Sequence, residues 1–75
     1  MRELIEYIAK SIVTVPDAVE VTEEKVGDSL IFKLQVDPED RGRVIGKQGK
    51  VAEAMRALLR VVAIRGGIRA RLEIV

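Results

Sequence analysis

Apolar side chains recur along this chain with two different periods, and the switches between them divide it into elements. From residue 3 to 13, Leu4, Ile5, Ile8, Ala9, Ile12 and Val13 repeat at helical spacing, with Glu3, Glu6 and Lys10 on the other side, which predicts an amphipathic helix. It should stop near Thr14-Val15-Pro16, because a proline restricts the residue before it and has no N–H for the ladder. The period then becomes two. Val19 and Val21 face one way and Glu20 and Thr22 the other, followed by a charged stretch to Val26. Gly27-Asp28 is a turn signal, after which Leu30, Phe32, Leu34 and Val36 alternate with Ile31, Lys33 and Gln35. A hairpin is expected, with strands at 19 to 26 and 29 to 37 and the second better buried.

Asp37-Pro38-Glu39-Asp40 marks a helix start. Asp37 suits a cap, Pro38 the first helical position, and the acids the positive end of the helix dipole. A short helix to about Ile45 is predicted, ended by Gly46. A long one from near Gly49 to about Arg65 follows, stopped by Gly66-Gly67. Ile68, Ala70, Leu72 and Ile74 then alternate with Arg69, Arg71 and Glu73, which predicts a third strand. The order α-β-β-α-α-β contains a strand-helix-helix-strand unit that normally crosses over with both helices on one face of the sheet. Each strand has one clearly apolar side, so the first helix should cover that same face. The expected class is α+β, two layers, with a three-stranded sheet and three helices on one side.

On the long helix, Val51, Met55, Leu58, Leu59 and Val62 form an apolar face suited to the sheet, while Ala54, Ala57, Val61 and Ile64 form a second. A helix apolar around most of its circumference is buried on more than one side. Either the first helix or another subunit would cover the second face.

Seventy-five residues allow one domain, spanning 1 to 75, with a thin core that buries roughly 60 to 65% of the surface, so oligomerisation would help it. There is no cysteine and no histidine, which removes disulfides, most zinc sites and most nucleophile-base pairs. Glu20, Glu23 and Glu24 fall on an exposed strand, and Glu39 and Asp40 are accounted for by the helix start. No base, nucleophile and oxyanion set can be assembled, so neither catalysis nor a cofactor is expected. The amino terminus does not read as a signal peptide and no apolar run approaches a membrane span, so a cytoplasmic location is expected.

The net charge of +1 hides a division. Residues 1 to 40 carry a net charge of −6 and residues 41 to 75 a net charge of +7. Such a basic half is the electrostatic footprint of a nucleic-acid binder, although basic side chains that merely solvate a helix and a strand would give the same count.

The basic half opens with Arg41-Gly42-Arg43-Val44-Ile45-Gly46-Lys47-Gln48-Gly49-Lys50, four cations and no acid. A nucleotide-triphosphate loop needs four residues between its glycines and a Ser or Thr after its lysine, whereas Gly42 and Gly46 have three between them and Gln48 follows Lys47. A dinucleotide fingerprint needs a third glycine at its own spacing and a later ribose-binding acid. What remains is Gly-x-x-Gly after Val-Ile, at a turn with free N–H groups beside a helix start and cations around it, which is an anion site. Gly42 falls inside the short helix and permits either close packing or approach of another backbone.

Val44-Ile45-Gly46-Lys47-Gln48-Gly49-Lys50 between two helices, in this element order, resembles a type II KH domain, and over its whole length the chain is similar to the small single-domain bacterial KH proteins. The resemblance implies a central strand at 29 to 37, with 19 to 26 and 69 to 75 at the edges, and single-stranded RNA, or sometimes DNA, as ligand. It assigns backbone approach to the phosphates to Gly46 and Gly49, and a variable pair to Lys47 and Gln48. Ile45 becomes the floor of the groove for the bases, with Val44 either there or in the core. Arg41, Arg43 and Lys50 would add long-range attraction. Tyr7 and Phe32 are the sole aromatics and lie on separate elements, so no stacking platform can be built; both are expected to pack. A solvated face accounts better for Arg56, Arg60, Arg69 and Arg71 than an extension of the basic track. The resemblance further implies a non-catalytic RNA chaperone or regulator, acting as a homodimer or paired with a larger KH-containing protein. The alternative is a KH-fold interaction domain with little RNA affinity.

Overall fold

A computed structural model describes residues 1–75. Helix α1 spans Arg2–Ile12 and ends where Val13 turns to extended backbone (φ −90°, ψ 161°), three residues ahead of Pro16, which holds Val15 out of the helical region (φ −121°, ψ 79°). A short 3₁₀ turn, Pro16–Ala18, which the periodicity did not signal, leads into strand β1, Glu20–Val26. Strand β2 is Ser29–Gln35. A second 3₁₀ turn, Pro38–Asp40, precedes helix α2, Arg41–Ile45. Asp37 caps as expected, its Oδ1 accepting the Glu39 N–H at 3.0 Å, but the segment forms two successive helical pieces instead of one. A third 3₁₀ turn, Lys47–Gly49, joins α2 to helix α3, Lys50–Arg65, and strand β3 is Arg69–Ile74. Past α3 the Ile68 N–H returns to Ala63 O (2.9 Å) and the Gly67 N–H to Ile64 O (3.1 Å). This pair of bonds satisfies the last carbonyls and stops the helix.

The sheet order is β1-β2-β3, with β1 antiparallel and β2 parallel to its neighbour. Strand β2 is therefore central, bounded by Glu20↔Gln35 and Val26↔Ser29 on one side and Ser29↔Arg69 to Leu34↔Ile74 on the other. Its even-numbered side chains, Phe32 and Leu34, are fully buried beside Val21 of β1 and Leu72 of β3. Ile5 and Ala9 of α1, Val44 of α2, and Met55 and Leu59 of α3 close over the same cluster. All three helices thus cover one face in an α+β, two-layer arrangement, and the opposite face presents Glu20, Thr22, Glu24, Lys33, Arg69, Arg71 and Glu73. Beyond Val21 the rest of β1 is exposed. No helix is long and apolar enough to cross a membrane.

Two packing expectations need correction, the sheet-facing stripe of α3 and Tyr7, and one of the two open alternatives for the second face of α3 falls. The sheet-facing stripe of α3 is Ala52, Met55, Leu59 and Ala63, whereas Leu58 and Val62, assigned to it from the sequence, are exposed. Alanine lets a helix approach a strand closely, so the stripe is centred on the small residues. Helix α1 does not cover the second apolar face of α3 either: Ala54 and Ala57 are exposed, with Val61 at 54% and Ile64 at 69%. Tyr7, expected to pack, is 73% exposed.

Candidate nucleic-acid interface

The segment between α2 and α3 owes its shape to three residues with positive φ. Gly46 ends α2 with φ 78°, ψ 171°, a region open in practice to glycine alone. Its N–H donates back to Gly42 O at 2.8 Å. A Cβ on Gly46 would run into the Val51 side chain and lie 2.8 Å from the Val51 N, so the close contact between the end of α2 and the start of α3 needs hydrogen there. Gln48 (φ 59°, ψ 26°) and Gly49 (φ 74°, ψ 12°) are left-handed, and the Gly49 N–H donates to Gly46 O at 3.1 Å. The Lys47 and Gln48 N–H groups open this turn and have no partner inside it. Gly49 then stands at the N-cap of α3 with no side-chain cap, which leaves first-turn donors and the positive end of a 16-residue helix available to an anion.

Around this turn Arg41, Arg43, Lys47, Gln48 and Lys50 are exposed, and Gly46 and Gly49 half-buried. The Val-Ile pair is split by the helix. Val44 is fully buried in the core, while Ile45 is 36% exposed, an apolar shelf beside the loop. All eight residues singled out from the sequence therefore lie on one short surface from the start of α2 to the start of α3.

Asp40 was assigned to the helix start, and the structure corrects this. Its carboxylate is 1% exposed and ties the end of α1 to the beginning of α2. Oδ1 accepts the Thr14 N–H (3.1 Å) and hydroxyl (2.8 Å), Oδ2 accepts the Val15 N–H (3.1 Å), and the Arg43 Nε lies 3.6 Å from Oδ1. Burial pushes its pKa up, but the Thr14 and Val15 hydrogen bonds and the Arg43 charge outweigh this and hold it below the usual carboxylate range. The bond to Asp40 also restrains the exposed Arg43 guanidinium next to the loop. A sequence signal existed in the acid one residue before the helix, but its partners lie 25 and 26 positions away.

Sequence reasoning also undervalued the far side of α3. A hollow of about 370 Å³ lies between α3 and β3, lined by Arg56, Leu59, Arg60, Ala70, Arg71, Leu72 and Glu73. In a parallel ladder alternate residues turn their backbone groups to one neighbour. Val75 donates to Leu34 O, so Leu72 O points off the open edge of β3, and there the Arg56 Nε donates to it at 3.3 Å. Arg56 lies about 9 Å along the helix axis from Lys50 and about 120° around it, at 3.6 residues and 5.4 Å per turn, so the two do not share a face of α3.

Comparison with known proteins identifies the family. The family model described as KhpA/KhpB, KH domain matches residues 2–74. The chain is 48% identical to the RNA-binding protein KhpA of Caldanaerobacter subterraneus subsp. tengcongensis and 45% identical to that of Clostridium acetobutylicum, in each case over 75 residues and the whole of both chains. It is 47% identical to the RNA-binding protein KhpA of Listeria monocytogenes, over all of this chain and 99% of that one. No solved structure matches. With the helix-loop-helix, the mixed sheet and a match running almost from end to end, this chain belongs to the KhpA/KhpB family of KH domains.

Proposed function

We propose that this chain is a non-catalytic RNA-binding protein that holds single-stranded RNA through the loop Gly46-Lys47-Gln48-Gly49, with Ile45 under the bases and Arg41, Arg43 and Lys50 drawing in the backbone. The observation that carries this reading is the loop itself, in which an otherwise forbidden backbone at Gly46 presents N–H groups and an uncapped helix start between exposed cations. Its relatives are named RNA-binding protein KhpA, which supports RNA as the ligand. Catalysis has no support, because the one buried titratable side chain, Asp40, is committed to Thr14 and Val15.

One loop contacts few phosphates. With about three to four contacts the salt slope for a single strand is on the order of −2 to −3, so a single copy binds weakly and pairing would raise avidity. The exposed face of α3, Ala54, Ala57, Leu58, Val61 and Ile64, suits a second copy or a larger KH-containing protein, and the paired KhpA/KhpB family description is consistent with either. The resemblance to the small bacterial KH proteins supports a role as RNA chaperone or post-transcriptional regulator. The same face favours a second reading, an interaction domain with little RNA affinity.

Replacing Lys47 and Gln48 together by Asp separates the two. Binding of a short mixed-sequence single-stranded RNA should be lost, while circular dichroism and the melting temperature stay near wild type. Undiminished binding removes the loop from the mechanism.

A further inference from the structure

The two free edges of the sheet are not alike. Strands β1 and β3 each leave one side without a neighbour, and an unpaired strand edge is a template for another chain unless the sequence guards it. On β1 the positions that follow Val21 on the helix side are Glu23 and Lys25, both exposed, and charges on that side are such a guard. On β3 the equivalent positions are Ala70, Leu72 and Ile74, all apolar, with no proline and an unbroken register from Ser29↔Arg69 to Leu34↔Ile74. An added strand would find apolar side chains to pack on along β3 and none beyond Val21 on the helix side of β1.

The hollow between α3 and β3 runs along this unguarded edge. It is lined by four consecutive strand residues, Ala70 to Glu73, and because successive residues of a strand face opposite ways, a hollow that touches all four follows the backbone. On that edge the Leu72 carbonyl accepts from the Arg56 Nε at 3.3 Å, a long bond that stands in for a missing strand. Arg56, Arg60 and Arg71 line the same hollow, and none of them forms an ion pair, even with Glu73 beside them. Three guanidinium groups without carboxylates, next to an open strand edge, fit an extended chain that carries acids. Its backbone answers the outward N–H and C=O groups of Ala70, Leu72 and Ile74, and each guanidinium can take a carboxylate through two parallel bonds. We propose that the open edge of β3 receives an extended acidic segment of a partner protein, which adds to the sheet as a fourth strand and sets its carboxylates against Arg56, Arg60 and Arg71. An N–H of the incoming strand takes over the Leu72 carbonyl and frees Arg56 for a carboxylate. This does not rest on the RNA-binding reading above.

The experiment titrates the isotope-labelled full chain with a short capped peptide of alternating Glu and Val, and with its counterpart of alternating Lys and Val. The acidic peptide should shift the amides of Ala70, Leu72 and Ile74 and the Nε–H of Arg56, and the lysine peptide should not. Arg60→Glu, at an exposed position, should weaken the acidic peptide by about tenfold or more. Ala70→Pro should do the same, because it removes an outward N–H that the ladder to β2 does not use. Should Ala70→Pro fail to fold by circular dichroism, Arg60→Glu alone decides. The Lys47→Asp/Gln48→Asp variant should bind the acidic peptide like wild type, whatever becomes of its RNA binding, and loss of the peptide there overturns the proposal. Amides 70 to 74 unmoved by the acidic peptide, or equal affinity in wild type and Arg60→Glu, also overturn it. Single-stranded RNA that moves these amides where the acidic peptide does not makes the hollow an RNA site, and amides that move with protein concentration alone make it a contact between copies. Either result overturns the proposal.

Discussion

Gly46 and Gly49 are equivalent in the motif and different in the fold. Gly46 combines a backbone nearly closed to other residues with a Cβ position already filled by Val51, whereas Gly49 is left-handed with open space around it. Gly46→Ala should cost about 3 kcal/mol or more, because strain and collision add; Gly49→Ala should cost about 1–2 kcal/mol, the penalty of a left-handed alanine. Urea unfolding of the two variants gives the order, and equal losses would contradict the packing of α2 on α3. The need for both glycines was legible in the spacing and their unequal roles were not, because the Val51 contact depends on how the two helices meet. Asp40 was hidden for a similar reason. A caps-and-dipole account of 37 to 40 was complete by itself, and only the folded chain brings Thr14 and Val15 to that carboxylate.

Among the elements, α3 carries most of the unresolved surface. Its alternating alanines and larger residues read as two apolar faces, and periodicity alone centred the buried one a few tens of degrees from its true position. Ala52 and Ala63 are inside and Leu58 and Val62 outside, because close approach to the sheet favours a small side chain over a hydrophobic one of any size. The face that remains open is the proposed pairing surface. Val61→Asp should therefore reduce the light-scattering mass of the purified protein from about twice to about once the chain mass of 8.3 kDa, with intrinsic stability changed by about 0.5 kcal/mol or less, as for an ordinary surface substitution. A wild-type protein that scatters as one chain at high concentration would contradict pairing with a second copy and leave the larger KH-containing protein as the partner of this face. The strands were more legible than the helices, since a period of two leaves little freedom in which side faces the core.

For the molecule as a whole, the order of elements was readable from the switches of period and the single covered face from the alternation of Phe32, Leu34 and Leu72 against polar neighbours, whereas the central place of β2 came from the resemblance to KH domains. The charge division was readable as well, but its meaning was not. The sequence made Arg56, Arg60 and Arg71 indistinguishable from a solvated face, and the fold gathers them around one hollow between α3 and β3. The acids are not segregated from the cations, since Asp37, Glu39 and Asp40 directly precede α2 and Glu20, Glu24 and Glu73 share the open sheet face with Lys33, Arg69 and Arg71. The proposed function stands on the loop as the place that takes hold of RNA. Its most direct test is a titration of the isotope-labelled protein with single-stranded RNA, followed amide by amide. The largest shifts should fall on residues 43 to 51. Shifts confined to other parts of the chain, with 43 to 51 unmoved at saturation, would contradict it.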